Sequence, residues 1–304
     1  MENNQLLLSI CIPTNGIVDW VIPAIDSIYI QGVDNTLFEV VVTDNGEKND
    51  LQDAVKKYNH PNFHYYKTDS QGFTNQIDAF EKCSGLFCKM LNHRSKMLPE
   101  SLNILIELVE RYKNDKPIIY CAEGHANGGD IIECSNTDEF VRHLSYWVSW
   151  SAGTGAWKSD LVNLRRKKIN KMFPHTVYLF ELREESKYVI WNSRYQKMQD
   201  DTGKGGYDLF KTFGVIFLDV LNDLRVRNRI TNETFKYVKK DLYSFLCDLY
   251  YHEVLLLSKH SFIIKDISKS MNVYYGPIYY WKMVFMARLH KMNLRRFIPF
   301  SMKH

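Results

Sequence analysis

The stretch 71-QGFTNQIDAFEKCSGLFCKMLNHRSKMLPESL-102 decides the fold. Residues 73–85 have helical periodicity and end on Gly85, a residue suited to closing a helix. LFCKML (86–91) is apolar enough on both faces to be a buried strand. The next helix, 99–115, is announced by Pro99 and Glu100 in its first turn. Between strand and helix lies a short turn, Asn92-His93-Arg94-Ser95-Lys96, which carries no carboxylate. Outward from this stretch the same alternation repeats. Strands are expected at 6–13, 38–44, 63–69 and 116–124, with helices at 19–31 (Asp19 as its cap) and 51–59. Apolar strands alternating with helices make a mostly parallel sheet covered on both faces. In such sheets ligands bind beyond the carboxyl ends of the strands, which here carry Thr14, Asp44, Asp69 and the Asn92–Lys96 turn.

After residue 124 the alternation stops. Residues 125–140 are loop-like, 141–168 mix aromatic residues with a Gly-Thr-Gly loop, and 206 to about 260 turn helical. The expected organisation is therefore an alternating domain over 1–205 and a helical C-terminal region over 206–304. At 304 residues the chain is long enough to bury a substantial core. Its net charge is only +4. Yet 270–304 holds Lys282, Arg288, Lys291, Arg295, Arg296 and Lys303 with no acid, so the rest is slightly acidic. A basic, aromatic tail on a near-neutral body points to a local anionic surface such as a membrane leaflet, and away from nucleic acid. The first residues lack the basic and apolar regions of a signal peptide, and no apolar run is long enough to cross a bilayer. That places the protein in the cytoplasm, at most peripheral on the inner face of the plasma membrane. The six cysteines are scattered and read as buried thiols.

Three ordered segments carry a resemblance. LSICIPTNGIVDWVIPAIDSIYIQ (8–31) is a strand, Pro-Thr, then a helix ending in Asp-Ser-Ile and Gln; FEVVVTDNGEKND (38–50) is a strand closed by an acid; and 71–102 supplies Gly, Asn, helix, Gly, strand, turn and Leu-Pro. Together they resemble the family 2 inverting glycosyltransferases of the GT-A fold over roughly the first 110 residues. The family's Tyr-Asn-Arg after Pro-Thr is Asn15-Gly16-Ile17 in this chain. The resemblance implies a GT-A sheet, a nucleotide-sugar donor and a glycan acceptor, such as a lipid-linked O-antigen or capsule repeat. It places Pro13, Thr14, Asp44 and Asn75 at the nucleotide and Trp150, Gly153 and Gly155 in the acceptor wall.

In that family an acidic turn holds a divalent ion against the leaving diphosphate. The aligned residues here are His93-Arg94-Ser95, and hard cations want oxygen ligands. The expectation is that Arg94 or Lys96 neutralises the diphosphate directly, with no metal cofactor. Were Mn²⁺ or Mg²⁺ required, His93 with a carboxylate such as Asp69 or Glu123 would have to supply the ligands. The region matching the family's acceptor-side base is MFPHTVYLFELREES (172–186), where His175 is the first choice as base and Glu181 the second. The competing expectation is a catalytically degenerate relative acting as a nucleotide-sugar-binding or scaffolding subunit.

Overall fold

The computed structural model describes residues 6–199, 205–257 and 261–291, and the chain divides into two compact units, Met1–Asp200 and Asp201–His304. The first unit opens with β1 (Leu8–Thr14), α1 (Val18–Tyr29), β2 (Phe38–Asp44), α2 (Asp50–Ala54), β3 (Phe63–Lys67), α3 (Asn75–Glu81), β4 (Phe87–Met90) and β5 (Ser95–Met97). It continues with α4 (Ser101–Tyr112), β6 (Ile118–Cys121), β7 (Ile131–Cys134), α5 (Thr137–Leu144), β8 (Gly155–Trp157), α6 (Thr176–Phe180), β9 (Tyr188–Trp191) and β10 (Gln196–Met198).

The central sheet has the order β3-β2-β1-β4-β8, parallel except for the edge strand β8. Side-chain alternation along β1 explains its two covered faces. Ile10 and Ile12 join Val21, Ile25 and Ile28 of α1 and Leu102 and Leu105 of α4, whereas Cys11 joins Ile77 and Phe80 of α3 and Tyr178 of α6. The expected α/β architecture, a mostly parallel sheet between helices, is what forms.

The Asp-Ser-Ile and Gln that end α1 have a structural task. Ser27 Oγ accepts from the Met97 amide at 2.8 Å, and Gln31 Oε1 accepts from the Leu102 amide at 3.0 Å. Each satisfies a backbone donor of the segment after β4, a net contribution of about 1 kcal/mol apiece. Together they hold the turn and the start of α4 in place.

Several boundaries differ from expectation. Asp19 lies inside the first turn of α1 while Ile17 is the cap, and α4 begins at Ser101 because Glu100 adopts a left-handed φ of 63°. The helix expected over 51–59 is the short α2 followed by a 3-10 turn, Val55–Lys57. The fifth apolar strand does not join the central sheet. β6 pairs in parallel with β9, which pairs antiparallel with β7 from the segment that read as loop. β5 is a second strand unseen in sequence, antiparallel to β10.

The second unit pairs β11 (Gly205–Asp208) with β12 (Ser261–Ile263), and is otherwise helical. α7 (Leu209–Lys211) passes through a π-helical turn, Thr212–Phe217, into α8 (Leu218–Val226), followed by α9 (Asn232–Leu249), α10 (Ile267–Tyr274) and α11 (Pro277–Lys291). Thr231 caps α9 by accepting from the Thr234 amide. Leu221, Leu242, Leu246, Met271 and Met283 are fully buried. Of the tail cations, Lys282, Arg288 and Lys291 lie on α11, while Arg295, Arg296 and Lys303 lie outside the described residues, as do 1–5 of the opening segment. No helix among the described residues is long and apolar enough to cross a membrane.

Candidate functional site

The carboxyl ends of β1 and β2 set the floor of the site, with Pro13 opposite Thr43 and Thr14 opposite Asp44. Asn75, the first residue of α3, ties them together. Its Nδ2 donates to the carbonyls of Thr14 (3.1 Å) and Thr43 (2.8 Å), and its Oδ1 accepts from Thr68 Oγ1 at 3.0 Å. The Thr14 carbonyl also accepts from the Asn45 amide at 3.0 Å, so the Asn75 amide adds a second donor there and fastens the start of α3 to both strand ends.

Asp44 is fully buried. Its Oδ1 accepts from the Gly46 amide at 2.7 Å, and its Oδ2 accepts from Tyr65 Oη at 2.7 Å and Lys67 Nζ at 3.2 Å. Gly46 must be glycine, since a Cβ there would lie 2.3 Å from the Asn15 carbonyl oxygen. The carboxylate thus organises the Asn15–Gly46 loops, Tyr65 and Lys67. Each Asp44 oxygen already faces a protein donor, so the carboxylate supports Tyr65 and Lys67 from beneath. Tyr65 and Lys67 were not legible as site residues; both sit one strand further along the same sheet edge.

The carboxylate-free turn is well ordered by bonds. Thr14 Oγ1 lies 2.7 Å from His93 Nδ1, which joins the turn to β1. Burial, with the adjacent Arg94 guanidinium, pushes the His93 imidazole down to about 3, so the ring is neutral at physiological pH. Arg94 is only 8% exposed, and its guanidinium carbon lies 3.5 Å from the centre of the Trp20 ring. Gln199 clamps this stack, donating from its backbone to the Arg94 carbonyl at 2.8 Å and from its side chain to the Trp20 carbonyl at 3.0 Å. A delocalised cation on an indole face is favourable and is held far more firmly than a solvated side chain. Lys96 departs from expectation. It is the exposed residue of β5, between buried Ser95 and Met97, paired across the antiparallel ladder with Lys197 of β10. Period-two alternation puts it on the opposite side from its neighbours, facing solvent. Among the described residues no three His, Cys, Asp or Glu side chains come together as a metal site. The donors at the turn therefore do not fit a carboxylate-held Mn²⁺ or Mg²⁺.

The residues expected at an acceptor wall fall on the same edge. Met90, at the end of β4, donates to the Thr154 carbonyl at 2.9 Å, and Thr154 bridges antiparallel to Tyr120 of β6. Gly153 packs so tightly that a Cβ would lie 2.5 Å from the Cys121 carbonyl oxygen, and Gly155 begins β8 under the Phe87 ring. Tyr120 Oη lies 2.8 Å from the carbonyls of both Trp147 and Trp150, sharing its proton between them. Trp150 stands 4.3 Å from Trp147, which stacks on His125 at 3.7 Å. The sequence singled out Trp150; in the structure it belongs to an aromatic cluster with Trp147 and His125.

His175 is displaced from the role expected of it. It is 2% exposed, its Nε2 donates to the Val148 carbonyl at 3.0 Å, and burial pushes its imidazole down to about 4. A ring sealed beneath the wall braces the 145–150 segment and is not presented to an acceptor. Glu181 is the C-cap residue of α6, with its amide on the Val177 carbonyl. Lys89 is a buried cation of β4 that sequence reasoning passed over. Its Nζ donates to the carbonyls of Met90 and Ala152 and to Tyr195 Oη, and burial pushes its pKa down.

No protein-family model and no curated protein matches the sequence. Among solved structures the chain is similar to S. aureus TarS residues 1–349, with a TM-score of 0.52 at 13% identity over 81% of this chain and 71% of that one. The same TarS segment in complex with UDP gives 0.52 at 14% identity over 81% and 71%, and in complex with UDP-GlcNAc 0.53 at 14% identity over 81% and 72%. At this identity the likeness shows the fold alone, a mostly parallel α/β sheet flanked by helices with a helical C-terminal part.

Proposed function

We propose that this chain is a glycosyltransferase that moves a sugar from a nucleoside-diphosphate donor to a glycan hydroxyl, with inversion and without a divalent metal. The observation that carries the reading is the turn after β4. The sequence resemblance aligns it with the family's metal ligands, and it holds Arg94 buried against Trp20 and tied to β1 through His93 and Thr14. A fixed guanidinium at that position supplies the positive charge that a leaving diphosphate requires. The structural neighbours in complex with UDP and UDP-GlcNAc support a nucleotide-sugar donor. Pro13, Thr14, Asn75, His93 and Arg94 form the donor side, with Asp44 positioning Tyr65 and Lys67; Trp150 and its aromatic neighbours form the acceptor side.

The acceptor fitting this reading is a lipid-linked surface glycan handled at an anionic inner leaflet. α11 carries Lys282, Arg288 and Lys291 and no acid, and exposes Ile278, Trp281 and Phe285. Basic residues around exposed aromatic ones suit an anionic interface. Co-sedimentation with vesicles containing anionic lipid checks this part, and equal binding to neutral vesicles would contradict it.

The donor reading is tested by thermal shift against UDP, GDP, CDP and dTDP, since ligand binding raises apparent stability by mass action. One of them should raise the unfolding temperature in the presence of EDTA. If none does, with or without Mn²⁺ or Mg²⁺, the donor reading fails and a scaffolding role for this fold takes its place.

A further inference from the structure

Glu123 lies on the same edge as the donor turn. β4 runs antiparallel to β8, and the residue preceding β8, Thr154, is antiparallel to Tyr120 of β6. β6 therefore runs parallel to β4. His93 follows Met90, the last residue of β4, and Glu123 follows Tyr120, so both project past the carboxyl ends of strands that flank Thr154. A second connection joins them. Gln196 of β10, the partner strand of β5, donates from Nε2 to the Glu123 carboxylate.

Three features set Glu123 apart from an ordinary surface carboxylate. Its φ of 57° is a left-handed conformation that a non-glycine residue adopts at a cost, and such outliers cluster at functional sites. Gln196 is 7% exposed and its Oε1 has no hydrogen-bond partner, an orphaned acceptor beside the carboxylate. The platform of Trp147, Trp150 and His125 begins two residues on, and flat aromatic faces beside a carboxylate match the apolar face and hydroxyl rim of a pyranose.

We propose that Glu123 is the catalytic base of the transfer, resting on the glycosyltransferase reading above. Its carboxylate takes the proton of the acceptor hydroxyl as that oxygen bonds to the donor's anomeric carbon. The bond from that carbon to the diphosphate breaks, its electron pair leaves with the nucleoside diphosphate, and the carboxyl then releases its proton to solvent. Gln196 fixes the direction of the carboxylate. Lys89 from β4 and Arg194 before β10 are the cations near it, Cys121, Tyr120 and Tyr195 are neutral neighbours, and His125 lies two residues on. Burial raises the Glu123 carboxyl above its ordinary range against the opposing pull of Gln196, Lys89 and Arg194, which brings it closer to the pH at which a base works.

The experiment pairs turnover with binding. Release of UDP from UDP-GlcNAc with water as acceptor is measured for the wild type, Glu123→Gln, Glu123→Asp and Glu181→Gln, beside calorimetric titration with UDP; UDP-Gal, GDP-, CDP- and dTDP-sugars follow as alternative donors. Glu123→Gln should keep UDP affinity within about twofold and lose at least about 100-fold in kcat, and Glu123→Asp should recover part of it. Wild-type release should rise with pH through an inflection that Glu123→Gln lacks. Glu123→Gln that turns over within about threefold of wild type, or Glu181→Gln that abolishes release in its place, overturns the proposal and leaves the donor reading standing. A wild type that binds no nucleoside diphosphate, or binds one and releases none from any donor, overturns both.

Discussion

Exchanging His175 for Gln separates a structural histidine from a catalytic one through the pH dependence of folding. Burial holds the folded imidazole down to about 4, whereas an unfolded histidine titrates near 6.5. Between those values the unfolded chain binds a proton that the folded chain does not. Stability therefore rises with pH across this window and is lost as pH falls from about 6.5 towards about 4. At about pH 5 the unfolded imidazole lies about 1.5 units below its pKa, and at about 1.4 kcal/mol per unit this withdraws about 2 kcal/mol from the wild type. Near pH 7.5 the contribution vanishes. His175→Gln loses the bond to the Val148 carbonyl and some packing, about 1–3 kcal/mol at neutral pH, but has nothing to titrate. The gap between the two proteins should thus shrink by about 2 kcal/mol on going from about pH 7.5 to about pH 5. Urea unfolding followed by tryptophan fluorescence reads this well, because Trp20, Trp147, Trp150, Trp157 and Trp191 all lie in the first unit. A gap that stays constant across that range would refute the buried, neutral histidine and return His175 to the list of bases.

Arg94→Ala should weaken nucleoside diphosphate binding about 10- to 150-fold, the loss of one charge-assisted contact of about 1.5–3 kcal/mol, and Arg94→Lys should recover only part because an ammonium neither forks nor stacks on Trp20. Calorimetry checks both, and affinity within twofold of wild type in Arg94→Ala contradicts the assignment. Asp44→Ala should lower stability by about 2–4 kcal/mol, since it leaves the Gly46 amide and Tyr65 Oη without their acceptor and Lys67 Nζ with only the Lys48 carbonyl. A fully stable variant with lost nucleotide affinity would instead make Asp44 a direct ligand. Gly153→Ala should disturb the acceptor wall more than the donor side, because the new Cβ meets the Cys121 carbonyl and the Tyr120 ring that anchors Trp147 and Trp150. Donor affinity should survive while turnover falls, and the reverse pattern would place that loop elsewhere.

The central sheet was readable because β1, β2 and β4 are largely apolar and buried runs, and each of them and the aromatic β3 is followed by its own crossover helix. The second sheet was not. It assembles β6, β9 and β7 from segments far apart in the chain, and β7 alternates exposed and buried within a loop-like composition. The turn after β4 could be located by its spacing, and its lack of acids was plain. What Arg94 does there depends on Trp20, far back in the chain on α1 and legible only as one more apolar residue of a helix. His175 failed for a related reason: residue type and position marked a base, and burial beneath Val148 removed it. Glu123 stood in sequence only as a reserve metal ligand, since its left-handed backbone and its bond to Gln196 leave no local trace.

The most direct test of the metal-free reading is calorimetric titration of EDTA-treated wild-type protein with the nucleoside diphosphate selected by thermal shift, repeated after adding Mn²⁺ or Mg²⁺. With Arg94 as the fixed cation, the dissociation constant should be the same within about twofold in both titrations and should weaken as salt rises. Binding that is absent in EDTA and restored by the metal would contradict it.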